Sequence, residues 1–142
     1  MTRFFYKYVY IIVPAIIWTG IQLFKLIYDR IETKKWHFKR FLGSGGMPSS
    51  HSAVSMSLAT LIGKHIGIES PLFALSMLFA FITMYDACGV RREVGNQAKV
   101  LNDIISKQNN MSYAQKLQEL TGHTPFQVII GALIGFLVGL IF

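Results

Sequence analysis

The chain has 142 residues, of which 52% are hydrophobic and only 15% charged, with a net charge of +7. Average soluble domains carry roughly 25% charged residues, and here the charges are bunched between long uncharged stretches, which points away from a soluble core and towards one membrane domain over residues 1–142. The basic excess lies between apolar spans in no RNA- or DNA-reading pattern, so no nucleic-acid partner is expected; membrane lipids, and in part an anionic substrate, are the expected partners. The single cysteine, Cys88, cannot form an intrachain disulfide and has no metal-ligand spacing around it, so it reads as a buried small residue. No small-residue cleavage site follows the first apolar run, and no cleaved signal peptide is predicted.

The first apolar stretch, about Tyr8 to Tyr28, is long enough to span a hydrocarbon core of ~30 Å. It contains Pro14 and Gln22, which neighbouring helices must cover. A basic segment follows, with Arg30, Lys34, Lys35, Lys39 and Arg40, then a turn, Gly43-Ser44-Gly45-Gly46-Met47-Pro48. A second helix is predicted from Ser49 or Ser50 to about Gly67; its small and hydroxylic residues suit contact with protein rather than lipid. Ser70-Pro71 is an N-cap followed by proline at the first helical position and opens a third span to about Tyr85. The segment from Asp86 to Gly122 is polar, with an apolar stripe at Val100, Leu101, Ile104 and Ile105. Ser112 and Gln115 have capping-box spacing, with Met111, Leu117 and Leu120 on one face of a second short helix. Both are read as surface helices, with a soluble helical hairpin as the alternative. Thr124-Pro125 repeats the cap-and-proline signal before a last span, Phe126 to Phe142, in which Gly131, Gly135 and Gly139 share one face.

The fold class that follows is all-α: an integral membrane helical bundle of about four spans plus two short surface helices. Lysines and arginines concentrate in the first and third connections, which places those connections in the cytoplasm of a multi-pass cell-membrane protein. Span parity then puts residues 34–51 and 86–124 on the same side. The second and fourth spans both begin there, and helix N-termini favour phosphate. One N-terminus carries His51 in its first turn, the other has His123 just before it, and Arg91 and Arg92 are expected beside them. Glycines let backbone amides approach phosphoryl oxygens, and arginine offers a bidentate fork. One histidine could attack phosphorus while the other protonates the leaving alkoxide. His37 and His65 belong to no such constellation and read as surface residues.

Met47-Pro48-Ser49-Ser50-His51 resembles the Pro-Ser-Gly-His motif of the type 2 phosphatidic acid phosphatases, a superfamily that includes vanadium haloperoxidases and bacterial acid phosphatases. Gly122-His123-Thr124-Pro125, leading into the glycine-bearing last helix, is similar to its third motif. The block Tyr85-Asp86-Ala87-Cys88-Gly89-Val90-Arg91-Arg92, with Gly95, Gln97-Ala98 and Leu101-Asn102, resembles a divergent bacterial and plant branch. The resemblance runs from about Lys25 to the C-terminus. It implies His123 as nucleophile through a phosphohistidine, His51 as general acid, and Gly45, Gly46, Ser49, Ser50 and one of Arg91 and Arg92 as phosphate-binding residues. Three departures stand out. The family's first motif, lysine, six residues, then Arg-Pro, has only Lys35 and Arg40 as a compressed counterpart. Its third-motif arginine lies a few residues before the histidine, whereas 30 residues separate Arg92 from His123. The Asp expected four positions after the nucleophile is Gln127, which can orient an imidazole but cannot stabilise imidazolium as a carboxylate does. Asp86 or Asp103 could take that part.

The resemblance implies a lipid-phosphate phosphatase or phosphotransferase acting on a polyprenyl phosphate or a phosphatidic-acid-like lipid, with no metal or other cofactor. The alternative is a non-catalytic phospholipid-binding or lipid-translocating protein that keeps the phosphate pocket. Membrane members of the superfamily commonly carry six helices; the surface helices, or a second subunit in a homo-oligomer, would make up the number.

Overall fold

A computed structural model of the chain describes residues 2–38, 45–107, 117–119 and 121–142, with side chains from Lys7 onward. The described residues form helices α1 (Thr2–Thr33), α2 (Ser50–Ile66), α3 (Pro71–Cys88), α4 (Val90–Lys107) and α5 (Pro125–Ile141), with no strand among them. Lys7–Thr33 and the α3–α4 stretch Pro71–Lys107 are long and apolar enough to cross a membrane, and α5 is a shorter apolar helix. Large side chains of α3 and α5, among them Leu75, Phe79, Phe81, Ile129 and Leu137, face outwards. Apolar surface on this scale has lipid as its solvent, and helices satisfy their own backbone within it. The protein is an all-α membrane protein.

The central helix is α2, which packs against α1, α3 and α5, while α1 and α5 scarcely touch. Its first turn is capped by Ser49, whose hydroxyl oxygen accepts from the Ser52 N–H. Its buried hydroxyls turn back on their own helix: Ser55 donates to His51 O at 2.9 Å, Ser57 to Val54 O at 2.8 Å and Thr60 to Met56 O at 2.8 Å. These bonds leave a smooth small-residue surface. The glycine face of α5 lies on it, where a Cβ at Gly131 or Gly135 would collide with the backbone carbonyls of Ser49 or Ala53. The predicted contact face is thus the α2–α5 interface.

On α1, Val9, Val13, Ile17 and Ile21 form the core stripe together with Ala53 and Leu61 of α2. Pro14 and Gln22 are both buried, covered by neighbouring helices. Further along that face come two charged residues, Lys25 and Asp29, each more than nine-tenths buried.

After α3, Gly89 donates its N–H to Tyr85 O at 2.8 Å and the chain turns directly into α4. This helix is longer than the predicted stripe and carries Val90, Val94, Leu101 and Ile104 exposed along it. The described residues 117–119 are not helical. They run along α4 instead: Asn102 donates to Leu117 O at 2.9 Å and to Glu119 Oε1 at 2.8 Å, and accepts the Leu117 N–H at 2.9 Å. A backbone held this way by a side-chain amide cannot also close helical hydrogen bonds at those groups. The rest of the predicted second short helix, including the Ser112–Gln115 capping box, lies outside the described residues.

Candidate active site

Four chain segments meet at one end of the bundle, and backbone hydrogen bonds join three of them. The His123 N–H donates to Ala87 O at the end of α3 at 2.9 Å, and the Ser49 N–H donates to Gln127 O in the first turn of α5 at 3.2 Å. The starts of α2 and α5 and the end of α3 are therefore fastened together by main chain. Gly95 and Ala98 are the buried positions of α4, and a Cβ at Gly95 would strike the backbone of Glu119 and Thr121. Gly122 has φ +84° and lies against the backbone of Arg91 and Arg92, so no other residue fits there without strain. Gly95, Ala98, Asn102 and Gly122 together form the bed along which the chain reaches His123.

His123 is 3% exposed, and neither ring nitrogen makes a hydrogen bond of ordinary geometry. An imidazole buried in this way is held neutral. Burial, reinforced by the nearby positive charge of Lys25, pushes its pKa down to about 4, against the opposing influence of the Gln127 side chain and the Gly46 backbone beside the ring. His51 is close enough for its charge to be felt at His123, and Arg91, Lys25 and Asp86 are close enough to act on His51. Lys25 donates from Nζ to Gly45 O at 3.0 Å, which fixes its ammonium against the glycine turn.

The predicted site residues are therefore distributed as follows. His51, His123, Gly45, Gly46, Gln127, Asp86 and Arg91 come together. Asp86 and Arg91 form an ion pair with each other, and both lie on the His51 side. Ser49 and Ser50 are buried beneath the turn; the Ser49 hydroxyl is engaged by Ser52, whose own hydroxyl donates to it at 2.9 Å. Gln127 closes a capping box in which its Oε1 accepts the Thr124 N–H at 3.0 Å, so its carbonyl serves the helix start. Arg92 touches the site through its backbone, and its side chain is exposed. Lys35 is exposed beyond the end of α1, and Arg40 lies outside the described residues. Of the two histidines read as surface residues, His37 is half exposed and pairs through Nδ1 with the buried Asp29 at 2.8 Å. His65 is exposed at the opposite end, 3.2 Å from Phe142 O.

Sequence reasoning did not place Lys25 in the site. A signal existed: Val13, Ile17 and Ile21 repeat every four residues, and Lys25 and Asp29 continue that register. An ionisable residue on the buried face of a membrane helix is costly and marks function.

Comparison with known proteins shows the family. The family model described as "Divergent PAP2 family" matches residues 7–138. The uncharacterised membrane protein YuiD of Bacillus subtilis (strain 168) is 38% identical, with 84% of either chain covered. No solved structure matches. The matched stretch begins in α1 ahead of Lys25 and extends past His123 into the last turns of α5, so it contains every element of the site: this chain is a membrane protein of the divergent PAP2 family.

Proposed function

We propose that the chain is a lipid-phosphate phosphatase or phosphotransferase of the cell membrane, with its site at the cytoplasmic face. The observation that carries this reading is the meeting of two histidines with a buried lysine at one end of the bundle, one of the histidines enclosed, with neither ring nitrogen in a hydrogen bond of ordinary geometry. In the reaction, a ring nitrogen of His123 attacks the phosphorus of a phosphate monoester. The P–N bond forms as the P–O bond to the lipid alcohol breaks, and His51 gives its proton to the departing alkoxide. Water then attacks the phosphohistidine with His51 as base, the P–N bond breaks, and inorganic phosphate leaves; a second alcohol in place of water makes the reaction a transfer. Lys25, Arg91 and the two helix N-termini supply the positive field for the phosphoryl oxygens.

The second reading, a non-catalytic phospholipid-binding or lipid-translocating protein, is favoured by Gln127. An amide replaces the carboxylate that would stabilise imidazolium, and its carbonyl is engaged by the helix cap. Phosphate release from a panel of lipid phosphates by purified protein, set against His123→Ala, separates the two. The enzyme reading expects release that His123→Ala abolishes and acid-labile phosphate on wild-type protein. Phosphate-dependent lipid binding without release supports the second reading.

A further inference from the structure

A cavity of about 550 Å³ lies between α1 and α5, within the ~300–1,000 Å³ range of small-molecule sites. It exists because these two helices scarcely touch, each packing on α2 instead. Gly20, Ile21, Phe24 and Tyr28 of α1 form one wall and Ile130 and Ile134 of α5 the other. Phe24 and Tyr28 are more than half exposed, so the cavity opens sideways, through the surface that faces lipid. One end is polar: Lys25, with its ammonium on Gly45 O, and the backbone of Gly46, which adjoins His123. From Lys25 to Gly20 the apolar wall descends about 8 Å into the bilayer.

Resting on the proposed lipid-phosphate chemistry, we infer that this groove holds the hydrocarbon chain of the substrate. The substrate is then a long-chain phosphate monoester that enters laterally between α1 and α5, its phosphate drawn to Lys25 and its chain lying along Gly20, Phe24 and Ile134. Charge complementarity selects this occupant. The groove is apolar along its length and cationic at the end nearest the His123 imidazole, which matches an anionic amphiphile in both parts and in orientation. A second furrow, about 240 Å³ and bordered by Met56, Met84, Leu133 and Phe136, has no polar lining and offers no place for a headgroup. Gly20 keeps the groove open: a Cβ there would meet nothing within 4 Å. A side chain begun at this position therefore starts in open space at the groove wall.

The test uses full-length protein in nanodiscs with hexadecyl phosphate carrying a mid-chain diazirine, the same diazirine chain ending in an alcohol, and unlabelled hexadecyl and butyl phosphate. Wild-type protein is expected to crosslink the phosphate probe at Phe24 or Ile134, at least tenfold more than the alcohol probe. Gly20→Phe, intact by gel filtration, is expected to lose that labelling at least tenfold. In turnover, the preference of kcat/KM for hexadecyl over butyl phosphate should fall at least tenfold in Gly20→Phe. Groove labelling without phosphate release from any ester would remove the catalytic reading and leave the groove assignment standing. Release that is indifferent to chain length and to Gly20→Phe would overturn the groove assignment while keeping the enzyme. Labelling at Met84 or Phe136, or none at all, would also overturn it.

Discussion

A neutral imidazole has a lone pair to offer phosphorus and an imidazolium has none, so the burial of His123 bears directly on its chemistry. With its pKa held at about 4 by burial and then by Lys25, the ring stays neutral throughout the physiological range. The corresponding cost appears on acidification. An unfolded histidine takes up its proton near pH 6.5, so between that value and about 4 the unfolded chain binds more protons and His123 makes the fold less stable as pH falls. Replacing Lys25 by methionine should raise the His123 pKa, read from the titration of its ring ¹⁵N shifts, because a repelling charge is removed. The same variant should weaken phosphate binding by the ~1.5–3 kcal/mol of a charge-assisted hydrogen bond, roughly 10- to 150-fold. Oxyanion affinity unchanged in Lys25→Met would show that its ammonium serves the fold and not the phosphate. Gln127→Asp is the complementary change: a carboxylate beside the ring should stabilise imidazolium and raise turnover on lipid phosphates. A fall in turnover with the protein still folded would mean that the capping box, rather than the imidazole, is what Gln127 serves. That capping role was open to sequence reasoning, since Thr124 and Gln127 have the same three-residue spacing noted at Ser112 and Gln115. Lys25 was harder to see, because average hydropathy hides one charge in a long apolar run.

At the scale of elements, α2, α3 and α5 were legible because each begins with a chemical mark: Ser49 as a cap, Ser70-Pro71 and Thr124-Pro125. The start of α4 carries no such mark, its register being set by Gly89, and the predicted stripe caught only its second half. The segment at 117–119 was illegible for a different reason. Its apolar residues suit a helix, but the groups that fix it belong to Asn102, fifteen residues away from Leu117, and local patterns cannot report such a contact. Asn102→Ala should reveal what that contact does. It removes three hydrogen bonds, a cost of about 1–3 kcal/mol at a partly exposed site. Because the segment leads to His123, turnover should fall far more than the loss of thermal stability would explain. Equal losses in both would reduce Asn102 to a general packing role.

For the whole molecule, the decisive property is that the end of α1, the start of α2, the end of α3 and the start of α5 share one end of the bundle. In a background with Cys88→Ser, single cysteines at Lys35 and Lys99 should react with an impermeant maleimide from the same side of the membrane, the cytoplasmic one, and a cysteine at Glu69 from the other. Labelling of Lys35→Cys and Lys99→Cys from opposite sides would dismantle the site. The two bonds that fasten this end, His123 N–H to Ala87 O and Ser49 N–H to Gln127 O, are made by main chain alone. The Gln127 carbonyl oxygen is supplied by the main chain whatever side chain stands at position 127. The frame that aims His123 therefore does not depend on whether position 127 carries an amide or a carboxylate, while Gly95, Gly122 and Gly131 are held by the close backbone contacts around them. A lineage built on such a frame can exchange a carboxylate for an amide at position 127, dimming or restoring its chemistry, while the scaffold that passes to its descendants keeps the same shape.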